Sequence, residues 1–187
     1  MTSLTNAEKV ISLSMRSLII YIAFLTTMLI SCNYHSNQEY TTRIDSLSSQ
    51  LEKAVEGYSV IDSATIAEIR ENVNSNCNSI DFEVDSNFNK LIIPYSQISK
   101  SIKQILKMDF HIKKEIQNSR AQISNLLHDV KNNHIDTTLL IKYIEEEKKA
   151  VNIIINRMKF NRLRVISETK RYDSLNPLIV ERINKNN

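Results

Sequence analysis

Glycine is almost missing from this chain: Gly57 is the only one, accompanied by two prolines, Pro94 and Pro177, and no tryptophan. Tight hairpins and phosphate-cradling loops need residues that accept positive φ without a Cβ penalty. One glycine therefore excludes the Gly-rich nucleotide loops and disfavours sheets joined by short turns. HExxH, CxxC and GxSxG patterns are absent too, so no catalytic constellation is offered by a contiguous motif and no cofactor is expected. Aromatic residues make up 6% of the chain, and Ile, Leu, Lys, Glu, Asn and Ser are abundant. That composition suits slender helices better than a thick layered core. The expected fold class is all-α.

Charge is missing over one particular stretch. Residues 17–30 carry none and directly follow Arg16, the pattern of a positive n-region and a short apolar h-region. Fourteen helical residues rise ~21 Å, short of the ~30 Å hydrocarbon core, which favours a transient export signal over a stable span. Leu29-Ile30-Ser31-Cys32 closes the run with an aliphatic residue, a tolerant position, a small residue and a cysteine. This tetrapeptide resembles the lipobox of bacterial lipoproteins. The resemblance implies cleavage between Ser31 and Cys32 and acylation of the Cys32 thiol, whose thiolate is a natural nucleophile for lipid transfer. The competing reading is an uncleaved signal anchor. The stretch before the h-region is long for this class, so translation is expected to start at Met15. The expected organisation is a signal peptide over 1–31, a lipidated tether over 32–38 and a helical domain over 39–187.

Cysteine is scarce as well. After cleavage before Cys32, Cys77 is the one remaining thiol, so packing must supply the stability that a disulfide cannot. Cys77 itself is expected as a small residue on the buried side of a helix.

Beyond the tether, Tyr40, Ile44, Leu47, Leu51, Ala54, Tyr58 and Ile61 alternate at spacings of four and three, a heptad seam. Gly57 and Asp62-Ser63 offer stop and restart chemistry, and Thr65 with Glu68 forms a candidate capping box, which predicts a second helix from about Ser63. Ile66, Ile69, Val73 and Ile80 mark its stripe, interrupted by the Asn/Ser-rich residues 72–79; the reading is a helix with a frayed or kinked middle. Pro94 should stop or bend it.

From Ile98 to Val130 two registers, Ile98, Ile105, Ile112, Ser119, Leu126 and Ile102, Asp109, Ile116, Ile123, Val130, give an apolar seam broken at Asp109 and Ser119. Either polar residue fixes register on a seam or faces outward at a wider interface. Asn132-Asn133-His134 should form a corner, with Asp136 and Thr137 capping the next helix. Leu140, Ile144, Val151, Ile154, Met158, Val165 and Tyr172 continue the heptads, with Glu147, Asn161 and Glu168 as polar breaks. Pro177 should end this helix. The architecture expected is an elongated antiparallel hairpin or bundle of about four helices with coiled-coil-like seams.

Charge is divided unevenly. Residues 33–98 hold four Lys/Arg against ten Asp/Glu, and residues 99–187 hold eighteen against ten. Arg157, Lys159, Arg162, Arg164, Lys170 and Arg171 form the densest basic stretch. One explanation is pairing with the acidic first half; the other is a surface for anionic lipid headgroups or an acidic partner. Glu145-Glu146-Glu147 ahead of Lys148-Lys149 reads as a solvated ion-pair face. The four histidines, His35, His111, His128 and His134, lack metal-ligand spacing, so no metal site is expected.

Residues 119–133, SRAQISNLLHDVKNN, then Tyr143 with Glu147-Lys-Lys-Ala-Val, then Tyr172 with Leu175-Asn-Pro, resemble small helical lipoproteins of Bacteroidota-type bacteria in the second half of the chain, in addition to the lipobox. The resemblance implies a cell-envelope location and a helical domain. It implies no activity, and only Cys32 carries over as a functional residue. Asn33 and the tether after it lack the acidic run associated with surface export in some of those bacteria. The function expected is a structural or interaction module anchored by lipid at the envelope, with membrane lipid as one partner and an envelope protein or self-association through helices as the other. No enzyme activity and no nucleic-acid partner are expected. The alternative is a ligand- or peptide-binding bundle, with Asp109, Tyr143 and His128 as candidate polar linings.

Overall fold

The computed structural model describes residues 38–58, 62–80, 83–84 and 86–186. The export segment, Ser31 and Cys32, and the seam residue Ile61 lie outside them. Among the described residues every regular element is a helix. They are α1 (38–58), α2 (Ser63–Asn78), α3 (Ser86–Lys131) and α4 (Thr137–Asn186). The all-α expectation holds, for the reason that composition supplied: almost nothing in the chain can make a sheet turn.

The body is the pair α3 and α4, 46 and 50 residues long, or about 70 and 75 Å at the α-helical rise. They are joined by a short corner. His134 N donates to Asp129 O at 2.9 Å, and Asn133 takes a φ of 55°, a left-handed conformation that Asn tolerates better than most residues. Asp136 then caps α4, its carboxylate accepting from Thr138 N at 2.8 Å.

Two short helices lie along this hairpin, one after the other. Ile44, Leu47, Leu51 and Tyr58 of α1 share a core with Ile112, Ile116, Ile123, Val130, Leu140, Ile144, Val151, Ile154 and Met158. Ile66, Ile69 and Val73 of α2 share a second core with Phe88, Tyr95, Ile98, Ile102, Ile179 and Ile183. The expected seam positions of α3 are buried, including both polar ones, Asp109 and Ser119; Leu126 is partly buried.

Two features of the helix boundaries and one cap differ from the sequence expectation, each for a physical reason. The second helix is not continuous through residues 72–93: α2 ends at Asn78, with Ser79 N bonding back to Ser75 O, and α3 begins at Ser86. Pro94 lies inside α3 and Pro177 inside α4. An interior proline removes one amide donor and costs ~3 kcal/mol. Here, burial on both sides outweighs that cost, of Phe88 and Tyr95 about Pro94, and of Ile179 and the partly buried Leu175 about Pro177. Lys90 and Asp173, whose carbonyls lose the donor, are exposed, so water can replace it. Finally, the start of α2 is capped by Asp62 rather than by a Thr65–Glu68 box. Asp62 accepts from Ala64 N at 2.9 Å and from Thr65 Oγ1 at 2.6 Å, and these bonds hold its carboxyl below its ordinary range.

Ile112 is fully buried where α1, α3 and α4 meet. Ile112→Ala is expected to lower unfolding free energy by about 2–5 kcal/mol in a urea titration. An unchanged midpoint would mean that this face of α3 does not carry the core.

Candidate functional site

Where α1 gives way to α2, the apolar seam is replaced by a buried polar cluster. Tyr58, at the end of α1, donates its hydroxyl to Asp109 Oδ1 at 2.9 Å and accepts from Asn161 Nδ2 at 2.9 Å. Ser63, at the start of α2, donates to Asp109 Oδ2 at 3.1 Å, and Lys113 lies 2.7 Å from the same oxygen. Asn161 also reaches the Ile105 carbonyl at 3.3 Å. Every helix contributes to this one cluster. Burial is the main cause that raises the Tyr58 phenol well above its usual value of 10.0, with the neighbouring Asp109 adding to it. Asp109 therefore fixes the meeting of the helices and is not the pocket lining suggested by its residue type.

A second polar cluster sits nearer the far end of the hairpin. Asn76 Nδ2 donates to Tyr95 Oη at 2.8 Å and to Asn176 Oδ1 at 3.0 Å, and Tyr95 donates to Asn176 at 2.6 Å. Tyr172 stacks on Tyr95 at 6.3 Å between centroids. Burial raises the Tyr95 phenol and the partly buried Cys77 thiol alike. Sequence reasoning missed this cluster, because an Asn/Ser-rich stretch reads as a break in an apolar stripe rather than as an interhelical clasp.

Between α3 and α4, next to the corner, lies an open cleft of about 410 Å³, lined by Leu126, Asp129, Ile135, Tyr143, Glu146 and Glu147 among others. Of the three polar linings read from the sequence, only Tyr143 faces it. His128 instead meets His134 edge-on at 5.8 Å. Glu147 departs from the solvated ion-pair face: it is buried and accepts a hydrogen bond from Ser119 across the α3–α4 interface. Glu145 keeps the expected pairing with Lys148, at 3.9 Å, whereas Glu146 pairs backward with Lys142, also at 3.9 Å.

The basic stretch does not gather into one site. Arg157 pairs with Glu115, Arg171 with Glu168 at 3.4 Å, Arg162 donates to the Gly57 carbonyl at 3.3 Å and Arg164 to Gln104 at 3.0 Å. Lys159 and Lys170 form no ion pair with any described residue. The two halves are instead joined by Arg120, which grips Glu52 through two nitrogens at 2.7 and 2.6 Å, and by Arg43 with Glu145 at 2.8 Å. Arg120 holds the Glu52 carboxyl below its ordinary range. Among the described residues no group of three or more His, Cys, Asp or Glu is placed to hold a metal ion.

A phenol whose folded pKa is raised stabilises the fold below the unfolded value and loses that contribution as pH climbs. Stability is therefore expected to fall above about pH 10, as read by far-UV circular dichroism in urea. Tyr58→Phe should make this alkaline limb shallower, with the raised Tyr95 phenol supplying what remains. At neutral pH the same variant leaves Asp109 and Asn161 short of a partner and should cost about 1–3 kcal/mol. A steep alkaline limb retained in Tyr58→Phe would assign it to another group. Comparison of the chain with protein-family models, with curated proteins and with solved structures returned no match.

Proposed function

We propose that the chain is a bacterial lipoprotein, anchored through acylated Cys32, whose helices form an elongated bundle serving as a structural or interaction module at the cell envelope. The single observation that carries this reading is the tetrapeptide Leu29-Ile30-Ser31-Cys32 at the end of an uncharged apolar run that follows Arg16. Each residue has a chemical purpose there. The small Ser31 suits cleavage on its C-terminal side, and the Cys32 thiolate takes the acyl-bearing group.

The body behind that anchor fits a mechanical task. Its interhelical polar groups bond one another at Tyr58–Asp109–Asn161 and at Asn76–Tyr95–Asn176 and so hold helices in place, with Asn161 Oδ1 buried and without a hydrogen-bond partner. Among the described residues no helix is long and apolar enough to cross a membrane, so the proposed attachment is the lipid and not a span within α1 to α4. A lone acyl chain holds weakly, whereas the diacylglyceryl group of this class supplies two or more chains.

A second reading, a sensor of small ligands or peptides, is favoured by the cleft beside Tyr143 and the buried Glu147. A stabilising ligand found by thermal shift, and lost in Tyr143→Ala, would support it. A screen in which every hit persists in that variant would count against this cleft.

Intact mass of the protein extracted from a membrane fraction, beside a Cys32→Ala variant, tests the anchor. The expected result is a chain beginning at Cys32 with acyl groups added, and an unprocessed chain in the variant. An unmodified chain that retains residues 17–30 would overturn it and leave those residues as an uncleaved anchor.

A further inference from the structure

Between Glu147 and Glu168, α4 carries six basic residues, Lys148, Lys149, Arg157, Lys159, Arg162 and Arg164, and no acidic one. Within this run Lys149, Ile153, Phe160 and Leu163, followed by Lys170, succeed one another at intervals of four, seven, three and seven. Such spacing lines them up along one face of the helix. The face is turned away from the core residues Val151, Ile154, Met158 and Asn161. Ile153, Phe160 and Leu163 are 52%, 55% and 66% exposed, apolar side chains left in water on a helix that has no shortage of polar residues. Arg164 lies over the Phe160 ring at 5.8 Å, which keeps a cation at the edge of the apolar strip.

We propose that this face of α4 rests on an anionic bilayer surface. Ile153, Phe160 and Leu163 would enter the boundary between headgroups and acyl chains, with Lys149, Lys159 and Lys170 beside lipid phosphates. A strip of apolar side chains flanked by cations and free of carboxylates is the arrangement that lies flat on such a surface. It does not suit a second copy of the same face, because two such faces would bring like charges together.

The path of the chain adds an independent argument, one that rests on the proposed lipid anchor. Cys32 precedes Gln38, the first described residue of α1, by six residues, which span at most ~22 Å when fully extended. Near that start Arg43 bonds Glu145 at 2.8 Å, so α1 begins beside the α4 turn that leads into the basic run. A bilayer holding Cys32 is thus brought to one end of the strip. Glu145, one turn before Lys149 on the same face, is paired with Arg43 and with Lys148 at 3.9 Å.

The chain has no tryptophan, so Phe160→Trp in the full-length protein gives a single emitter in the middle of the strip. Chain that floats with vesicles would be measured in phosphatidylglycerol–phosphatidylcholine mixtures and in phosphatidylcholine alone, with bromine near the headgroup end of the acyl chains. The expected result is blue-shifted emission that loses most of its intensity to brominated lipid in the anionic vesicles only. Adding Lys159→Glu and Lys170→Glu, at positions that form no ion pair in the fold, should abolish that loss, with unchanged circular dichroism showing the helices intact. Unquenched emission in anionic vesicles would overturn the proposal, as would quenching that is equal in both lipids and indifferent to the charge reversals. Failure of the anchor reading appears separately, in the intact mass, because the fluorescence is read only on chain already bound to vesicles.

Discussion

A hairpin of two helices this long has a register problem. Isoleucines repeat along α3 from Ile98 to Ile123, and a partner helix displaced by one heptad would still find apolar groups to cover. The buried cluster of Tyr58, Asp109 and Asn161 removes that freedom. Asp109 needs the Tyr58 hydroxyl, Tyr58 needs the Asn161 amide, and a slip of one heptad would break both buried bonds, leaving Asp109 only its own helix's Lys113. Because Ser63 joins the same carboxylate, the cluster also fixes where α2 begins. Ser119 with Glu147 repeats the device nearer the corner, and Asn76, Tyr95 and Asn176 toward the other end.

Stability is shared between two cores, one under α1 and one under α2, each made with a different half of the hairpin. The polar cluster stands at their junction. In such a linear arrangement the cores need not open together, and either short helix can detach while the other half of the hairpin stays covered. The two prolines lie on the α2 side, where Tyr95 and Ile179 are fully buried close to them. Burial there offsets the lost amide bonds, so α3 and α4 remain unbroken through residues that would end a less well-covered helix.

Charge follows a logic different from that of simple complementarity between halves. The ion pairs that join α1 to the hairpin run in both directions, Arg120 to Glu52 and Arg43 to Glu145, while in the basic run of α4 Arg157 reaches Glu115 on α3 and Arg164 and Arg171 find neutral or local partners. Exposed pairs of this kind contribute little stability each. What they leave behind is a strip in the middle of α4 with cations, exposed Phe160 and Leu163, and no carboxylate between Glu147 and Glu168.

The sequence by itself determined the helical class, since one glycine leaves nearly no sheet turns, and it determined which positions face inward, since heptad spacing allows only one buried side. It also located the corner at Asn132-Asn133-His134 and the start of α2 near Ser63, because Asn and Asp act on the backbone within a few residues of themselves. Tertiary structure alone decided the fate of the prolines, because the burial that outweighs them comes from helices remote in the chain. It decided that Asp109, Ser119 and Glu147 turn inward, a choice that depends on a partner some 28 to 51 residues away for each bond. And it converted the Asn-rich end of α2 from an apparent interruption into a clasp: Asn76 has value only where Tyr95 and Asn176 meet it, and no local pattern encodes that meeting.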